Sequence, residues 1–322
     1  MENFDPALIS VIMPCYNAAA YVEEAVESVM QQSYPHVELI IVDDGSTDAS
    51  VQIIAGLAAS HPDRITVLHQ TNSGPYHARN QGLTHAHGNF IAFLDADDTW
   101  DPDALNQLHA AMTETLADVA YCGWQNMGET AINTQPHIPP DYIESDATAL
   151  FLQSCPWPIN GVLVRRQLID SLRGFSERLP TAMDYDLWLR MLAAQPTVMR
   201  VPRVLAFYRH YSRGNAHIPR WRQVFDAIAV REDFVHHNQQ QVAHLSHAER
   251  DTRVYGSLLA EAYRCHWRRD IDSSRRLFRR ALRKANWKAR DAKYILASLL
   301  PAPILKSLVR YIDMRRNRPV TF

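Results

Sequence analysis

The feature that most constrains this chain is a rhythm in its first 120 residues. Short apolar runs end abruptly at carboxylates or turn-forming residues, and a helical pattern follows. Residues 10–14 (SVIMP) run into Cys15-Tyr16-Asn17, and residues 38–42 (ELIIV) run into Asp43-Asp44-Gly45-Ser46. Residues 90–94 (FIAFL) run into Asp95-Ala96-Asp97-Asp98. Short apolar runs bounded by such breaks read as buried strands, as do 65–68 and 119–123. Between them, residues 19–32 place Val22, Ala25, Val26 and Val29 on one helical face. Helices are also expected over 49–59, capped by Ser46 or Thr47, over 75–85 and over 103–115. Strands alternating with helices dictate a mostly parallel sheet covered on both faces. Ligands of such sheets sit beyond the carboxyl ends of the strands, so the three breaks should converge on one crevice.

The rest of the chain changes character. Residues 125–160 are rich in proline and loop residues, and a helix is expected over 187–194, with Asp184 and Asp186 in or before its first turn. Past Arg220 only helical patterns remain, and 272–285 is strongly basic, with Leu277, Phe278, Ala281 and Leu282 at helical spacing. The expected division is a catalytic α/β domain over 1–218 and a basic, all-helical region over 219–322.

Charge follows the same division. Residues 1–202 hold 8 basic and 25 acidic groups, and residues 203–322 hold 25 basic and 10 acidic groups, within a total net charge of -2. An acidic front half argues against nucleic acid as a partner, and the basic back half suggests an anionic partner for that half alone. No lysine precedes Lys284, which removes a P-loop and a Schiff-base lysine from the front half. The 4 cysteines are far apart, so no disulfide framework or zinc site is expected. The amino terminus is acidic before its apolar run, unlike a signal peptide. No apolar run is long enough to cross a membrane. These readings point to a cytoplasmic protein.

Four constellations carry chemistry. Carboxylates at Asp95 and Asp97, at a strand end, suit a hard divalent cation, Mn²⁺ or Mg²⁺, that neutralises a diphosphate. Asp43 and Asp44 follow a strand, where one carboxylate can accept from a nucleobase N–H and the other can cap a helix. Tyr16, in Pro14-Cys15-Tyr16-Asn17, is placed to stack on a base. Asp184, in the run Met183-Asp184-Tyr185-Asp186, can act as a general base if a cleft holds it near a hydroxyl. Each alone also suits a plainer role: an acidic turn, an Asx turn, simple packing, a helix N-terminus.

Taken together, the order and spacing of SVIMPCYNAAAYVEEAVESVMQQSY, LIIVDDGSTD, NSGPYHARNQGL, GNFIAFLDADDTW and MDYDLWLRM resemble the inverting family 2 glycosyltransferases of GT-A fold over residues 8–210. The resemblance implies that Pro14, Tyr16 and Asp44 hold the nucleotide base. It implies that Arg79 touches the nucleotide or its phosphates, that Asp95 and Asp97 form a DxD motif with Asp97 as the metal ligand, and that Asp184 is the catalytic base. It implies a nucleoside-diphosphate sugar donor, most often a UDP-sugar, and a glycan or lipid-linked saccharide acceptor. Two departures stand out. The family usually has Glu-Asp where this chain has Met183-Asp184, and Tyr-Arg-x-His where this chain has Tyr208-Arg209-His210-Tyr211.

The sequence leaves two rival readings open. Asp95-Ala96-Asp97-Asp98-Thr99 also matches the DxDxT pattern of haloacid-dehalogenase-type phosphatases, although it ends about the fourth strand and lacks a nearby lysine. A non-catalytic sugar-nucleotide-binding module is the other. For the tail, the apolar and basic stretch 264–318 suits an anionic membrane surface, so the protein is expected in the cytoplasm and peripherally at the inner face of the membrane. The alternative is a packed helical hairpin whose arginines pair with the acidic front half. Trp157, between prolines in CPWPING, could line an acceptor cleft or belong to the core.

Overall fold

The structure, a computed structural model, describes residues 4–210 and 218–315. The chain falls into two compact units: Met1–Ala147 with Cys155–Gly214, and Thr148–Ser154 with Asn215–Phe322. In chain order residues 4–210 contain β1 (Asp5–Cys15), α1 (Val22–Met30), β2 (Val37–Asp43), α2 (Ser50–Ser60), β3 (Ile65–His69), α3 (Pro75–His85) and β4 (Gly88–Phe93). There follow β5 (Thr99–Trp100), α4 (Ala104–Thr115), β6 (Val119–Met127), α5 (Ala147–Gln153), β7 (Val162–Arg165), α6 (Arg166–Ser171), α7 (Met183–Ala193) and β8 (Val198–Arg209).

The strands form one 8-stranded sheet in the order β3-β2-β1-β4-β7-β6-β8-β5. The block β3-β2-β1-β4 is parallel throughout, as the βα rhythm requires. β7 runs antiparallel to both β4 and β6, β6 pairs parallel with β8, and β5 closes the edge antiparallel to β8. On one face Val11, Met13, Leu39, Ile41, Phe90 and Ala92 pack against Val22, Ala25, Val26 and Val29 of α1 and Leu105, Leu108 and Met112 of α4. On the other, α3 approaches so closely that a Cβ on Gly82 would lie 2.5 Å from Cγ2 of Ile12. Both faces are covered, and the C-terminal ends of β2, β1 and β4 open side by side.

Each sequence-expected strand and helix of the first 120 residues is present. The capping expectation for α2 is corrected: its N-cap is Ala49, with no side-chain cap bond. The polar residues ahead of it are used elsewhere. Oγ of Ser46 accepts from the Asn17 N–H at 3.0 Å, Oγ of Ser50 from the Ala18 N–H at 2.9 Å, and Oδ2 of Asp48 from the Ala19 N–H at 3.1 Å. They tie the loop after β2 to the loop after β1. The strands β7 and β8 were not foreseen. β7 has only four residues, and Pro202 and three arginines break the apolar pattern of β8.

The helical unit contains α8 (Arg220–His237), α9 (His247–Tyr255), α10 (Ser257–Trp267), α11 (Ile271–Lys284), α12 (Ala292–Ser298) and α13 (Ala302–Arg315). α11 lies at its centre, burying Leu277, Phe278 and Ala281 as expected, while Leu282 is exposed. Its arginines are structural. Arg279 donates to the Ser298 and Leu299 carbonyls at 2.7 and 2.8 Å, and Arg275 to the Leu300 carbonyl at 2.7 Å. These are the unpaired carbonyls at the end of α12, where a cation also meets the negative end of the helix dipole. Arg280 pairs with Glu232 at 3.0 Å, Arg269 with Asp313 at 2.5 Å, and Arg276 stacks over the Trp221 ring. The arginines named here have their partners within the helical unit.

Gly82→Ala is expected to destabilise the protein by about 1–3 kcal/mol, since the added methyl overpacks the α3–β1 contact. A urea titration followed by tryptophan fluorescence measures this. An unchanged midpoint would mean that α3 shifts freely away from the sheet.

Candidate active site

Two clusters form where β2, β1 and β4 end. The first lies past β1 and β2. Pro14 and Cys15 stand opposite Val42 and Asp43 in the parallel ladder, and the Asp44 N–H donates to the Cys15 carbonyl at 2.8 Å. Tyr16 is 52% exposed, with its ring open to solvent. Asn17 takes a left-handed backbone, φ 51°, and its Oδ1 accepts from the Thr47 N–H at 2.8 Å. Asp44 is buried, and its carboxylate accepts from Nε2 of Gln70 and the N–H of Ser73, each at 2.7 Å, and from the N–H of Gly74 at 2.9 Å. The resemblance implies a base partner for Asp44; in the fold its carboxylate anchors the loop 70–74.

The second cluster lies past β4. One carboxylate oxygen each from Asp95, Asp97 and Asp98 falls within 4.8 Å of the others. Asp98 is the buried member. Nδ2 of Asn160 donates to its Oδ2 at 2.9 Å, and the Arg209 N–H to its Oδ1 at 2.8 Å. Burial, and then the charges of Asp97 and Asp95, push the Asp98 carboxyl well above the ordinary carboxylate range. Three hard oxygen donors that repel one another in this way suit a divalent cation, which offsets the repulsion. Arg209 braces the loop: its Nε donates to the Asp97 carbonyl at 2.8 Å, its Nη2 pairs with Glu24 at 2.7 Å, and its guanidinium stacks over Tyr21.

Arg79 links this cluster to α7. It is buried on α3, its Nη2 is paired with Asp95, and its Nη1 donates to the sulfur of Met183 at 3.4 Å. Its Nε is buried with no hydrogen-bond partner among the described residues. The methionine that stands where the family usually has glutamate therefore rests on this guanidinium as a weak, neutral acceptor. Asp184 follows in the first turn of α7, and its Oδ1 accepts from the Tyr185 N–H at 2.8 Å. Burial raises its carboxyl above the ordinary value, partly opposed by that N–H and by the charge of Arg79. Tyr208 is the residue all four acids feel: burial, then Asp98, Asp95, Asp97 and Asp184, raise its phenol.

The structure thus brings Asp95, Asp97, Arg79 and Asp184 together, and places Pro14, Tyr16 and Asp44 at the ends of the neighbouring strands. Sequence reasoning missed the anchoring roles of Asn160 and Arg209. Arg209 carried a signal, the Tyr-Arg pair; Asn160 carried none. His210 holds its chain position through its N–H to the Met127 carbonyl at 2.8 Å, with its ring against Tyr208. Trp157 is in the core, stacked on Tyr121 and edge-on to Tyr142 and Trp188, so its cleft-lining reading is corrected.

A mixed sheet with carboxylates at the central strand ends is the architecture of GT-A glycosyltransferases. TarS 1–349 of S. aureus in complex with UDP-GlcNAc superposes with a TM-score of 0.63 at 18% identity, covering 98% of this chain and 93% of that one. The mannosyltransferase PcManGT from Pyrobaculum calidifontis, in complex with GDP-Man and Mn²⁺, does so with a TM-score of 0.61 at 20% identity, covering 96% of this chain and 87% of that one. At such identities these structures speak for the fold. The family model of glycosyl transferase family 2 matches residues 10–165. TuaG of Bacillus subtilis, a glycosyltransferase named for teichuronic acid biosynthesis, is 34% identical over 65% of this chain and 81% of its own length. A glycosyltransferase of Haemophilus influenzae is 38% identical over 52% of this chain and 65% of its own length. The chain belongs to glycosyltransferase family 2. The phosphatase reading of Asp95–Thr99 falls with this assignment.

Arg209→Ala is expected to weaken divalent-cation binding about 10–100-fold, as loss of an outer-shell brace does. Arg209→Lys should restore part of it, and a Mn²⁺ titration followed by electron paramagnetic resonance measures both. Equal affinity in all three proteins would remove Arg209 from the positioning of the acidic loop.

Proposed function

We propose that the protein is an inverting glycosyltransferase that moves a sugar from a nucleoside-diphosphate donor, a UDP-sugar by preference, to a hydroxyl of a glycan or lipid-linked saccharide. The observation that carries this reading is the convergence of Asp95, Asp97, Arg79 and Asp184 in one cluster beyond β4. Asp97, with Asp95 and Asp98 beside it, would hold Mn²⁺ or Mg²⁺. That cation, when bound, supplies positive charge to the departing diphosphate.

The chain's own residues do the remaining work. Pro14 and Tyr16 line the base position, with Asp44 accepting from a base N–H through the capacity its loop contacts leave. Arg79 receives the phosphates or the ribose end of the donor, and an acceptor oxygen there would satisfy its unpartnered Nε–H, which otherwise costs about 1–3 kcal/mol. Asp184 takes the proton from the acceptor hydroxyl. That oxygen forms a bond to the anomeric carbon as the bond to the diphosphate breaks on the opposite side, so one displacement inverts the centre. Two of the protein's structural neighbours point to the same donor chemistry: TarS was solved with UDP-GlcNAc and PcManGT with GDP-Man and Mn²⁺. TuaG, named for teichuronic acid biosynthesis, supports a cell-envelope polysaccharide as the acceptor class. We also propose peripheral attachment to the cytoplasmic face of an anionic membrane through the basic helical region. Among the described residues no helix is long and apolar enough to cross a membrane.

A thermal-shift panel of UDP, GDP, dTDP and CMP, with and without Mn²⁺, tests the donor site. One nucleoside diphosphate should stabilise the wild type by about 2.7 kcal/mol at 100 times its Kd, only with metal. Asp97→Ala should lose the shift, and no stabilisation by any of the four would overturn the reading. Asp184→Asn should keep the shift and lose about 10²–10⁴-fold in kcat, a split expected of a general base. Because burial raises the Asp184 carboxyl above its ordinary 3.8, the base is lost by protonation as pH falls through that raised value. The acid limb of the kcat profile should lie above 3.8 and be absent from the residual activity of Asp184→Asn.

A further inference from the structure

α12 and α13 leave their outward faces unpartnered, and those faces are apolar. Their inward faces meet α11: Leu305 and Val309 of α13 pack on Ile271 at the start of α11, joined by Ala297 and Leu300. Outward, α13 presents Ile304 (54% exposed), Leu308, Tyr311 and Ile312, at spacings i, i+4, i+7 and i+8. That spacing is one side of a helix. Leu296 (63%) and Leu299 (49%) continue the exposed apolar series at the end of α12 and just past it. Scattered exposed apolar residues are ordinary, but an ordered row along α13 continued by Leu296 and Leu299 is not.

The charge beside these rows is mostly positive; Lys306, also on α13, is paired with Asp272 at 2.5 Å. Lys293 precedes Leu296 by three positions with its ammonium over the Tyr294 ring, Arg310 is exposed on α13, and Arg315 closes the row with its guanidinium over Tyr311. The one acid of these two helices, Asp313, is buried against Arg269. Most of the arginines between 264 and 284 make carbonyl, carboxylate or ring contacts inside the unit.

We propose that the outward rows of α12 and α13, rather than the arginine-rich α11, are the surface that lies in an anionic bilayer. Ile304, Leu308, Tyr311 and Ile312 enter the interface, and Lys293, Arg310 and Arg315 meet the headgroups. This deepens the membrane attachment proposed above and rests on it. An amphipathic helix in the interface plane gains from buried apolar area and from attraction to anionic lipid together. Arg316 and Arg318, the end of the basic stretch 264–318, lie outside the described residues.

The test is co-sedimentation of the full chain with vesicles of phosphatidylcholine alone and with one-third phosphatidylglycerol. Three variants are compared: wild type, a triple exchange of Ile304→Ser, Leu308→Ser and Ile312→Ser, and Arg283→Ser on α11. The exchanged side chains of the triple are exposed, and an unchanged melting temperature checks that it folds. Wild type and Arg283→Ser should bind the anionic vesicles, with binding weakened by salt, and the triple variant should bind at least about tenfold less. Wild-type failure on anionic vesicles would overturn the membrane attachment itself. Equal binding by wild type and the triple variant would overturn this assignment alone. Light scattering that finds a wild-type dimer dissolved by the triple exchange would overturn it in favour of a second copy of this chain. None of these readouts uses nucleotide, so they stand apart from the fate of the donor site.

Discussion

Like-charge crowding at the end of β4 is the constraint around which the first unit is arranged. Asp95, Asp97 and Asp98 place carboxylate oxygens within 4.8 Å of each other, and Asp184 adds a fourth acid that Tyr208 also senses. Water alone does not screen such a group when one member is buried. The fold answers with fixed donors: Arg79 on Asp95, Asn160 and the Arg209 N–H on Asp98, and the Arg209 guanidinium on the Asp97 carbonyl. These partners come from α3, from the turn before β7 and from β8, so the acidic loop is held from three separate stretches of chain. The residual repulsion is of the kind that a bound cation would offset.

Much of this was legible in the chain. The strands β1 to β4 and their helices could be read because a buried parallel strand has to be apolar on both faces, and because carboxylates at its end stop the run cleanly. The convergence of Asp44, Asp95 and Asp97 followed from topology. What was not legible depends on tertiary partners. β8 is broken by Pro202 and by Arg200, Arg203 and Arg209, whose roles appear only when neighbours are in place. Asn160 sits in a short turn with no pattern around it, yet it is wholly buried against Asp98. The arginines of α11 looked like a surface charge run, because a side chain that caps another helix has no local signature.

The helical unit repeats this lesson in a different form. Its net positive charge suggested an external anionic partner, but the charges of α11 are spent on carbonyl ends and acids of neighbouring helices. The apolar character of 264–318 was legible, but which of its side chains stay exposed on α12 and α13 is set by their packing on α11.

The contacts of Asp44 have a mechanical meaning. Its carboxylate holds the N–H of Gly74, the residue with φ 94° that immediately precedes α3, and α3 carries Arg79, which in turn grips Asp95. A continuous line of hydrogen-bonded parts runs from the end of β2 to the acidic loop after β4. The carboxylate of Asp44 and the guanidinium beside Met183 thus share one supporting element, α3, anchored at its start by the first and carrying the second.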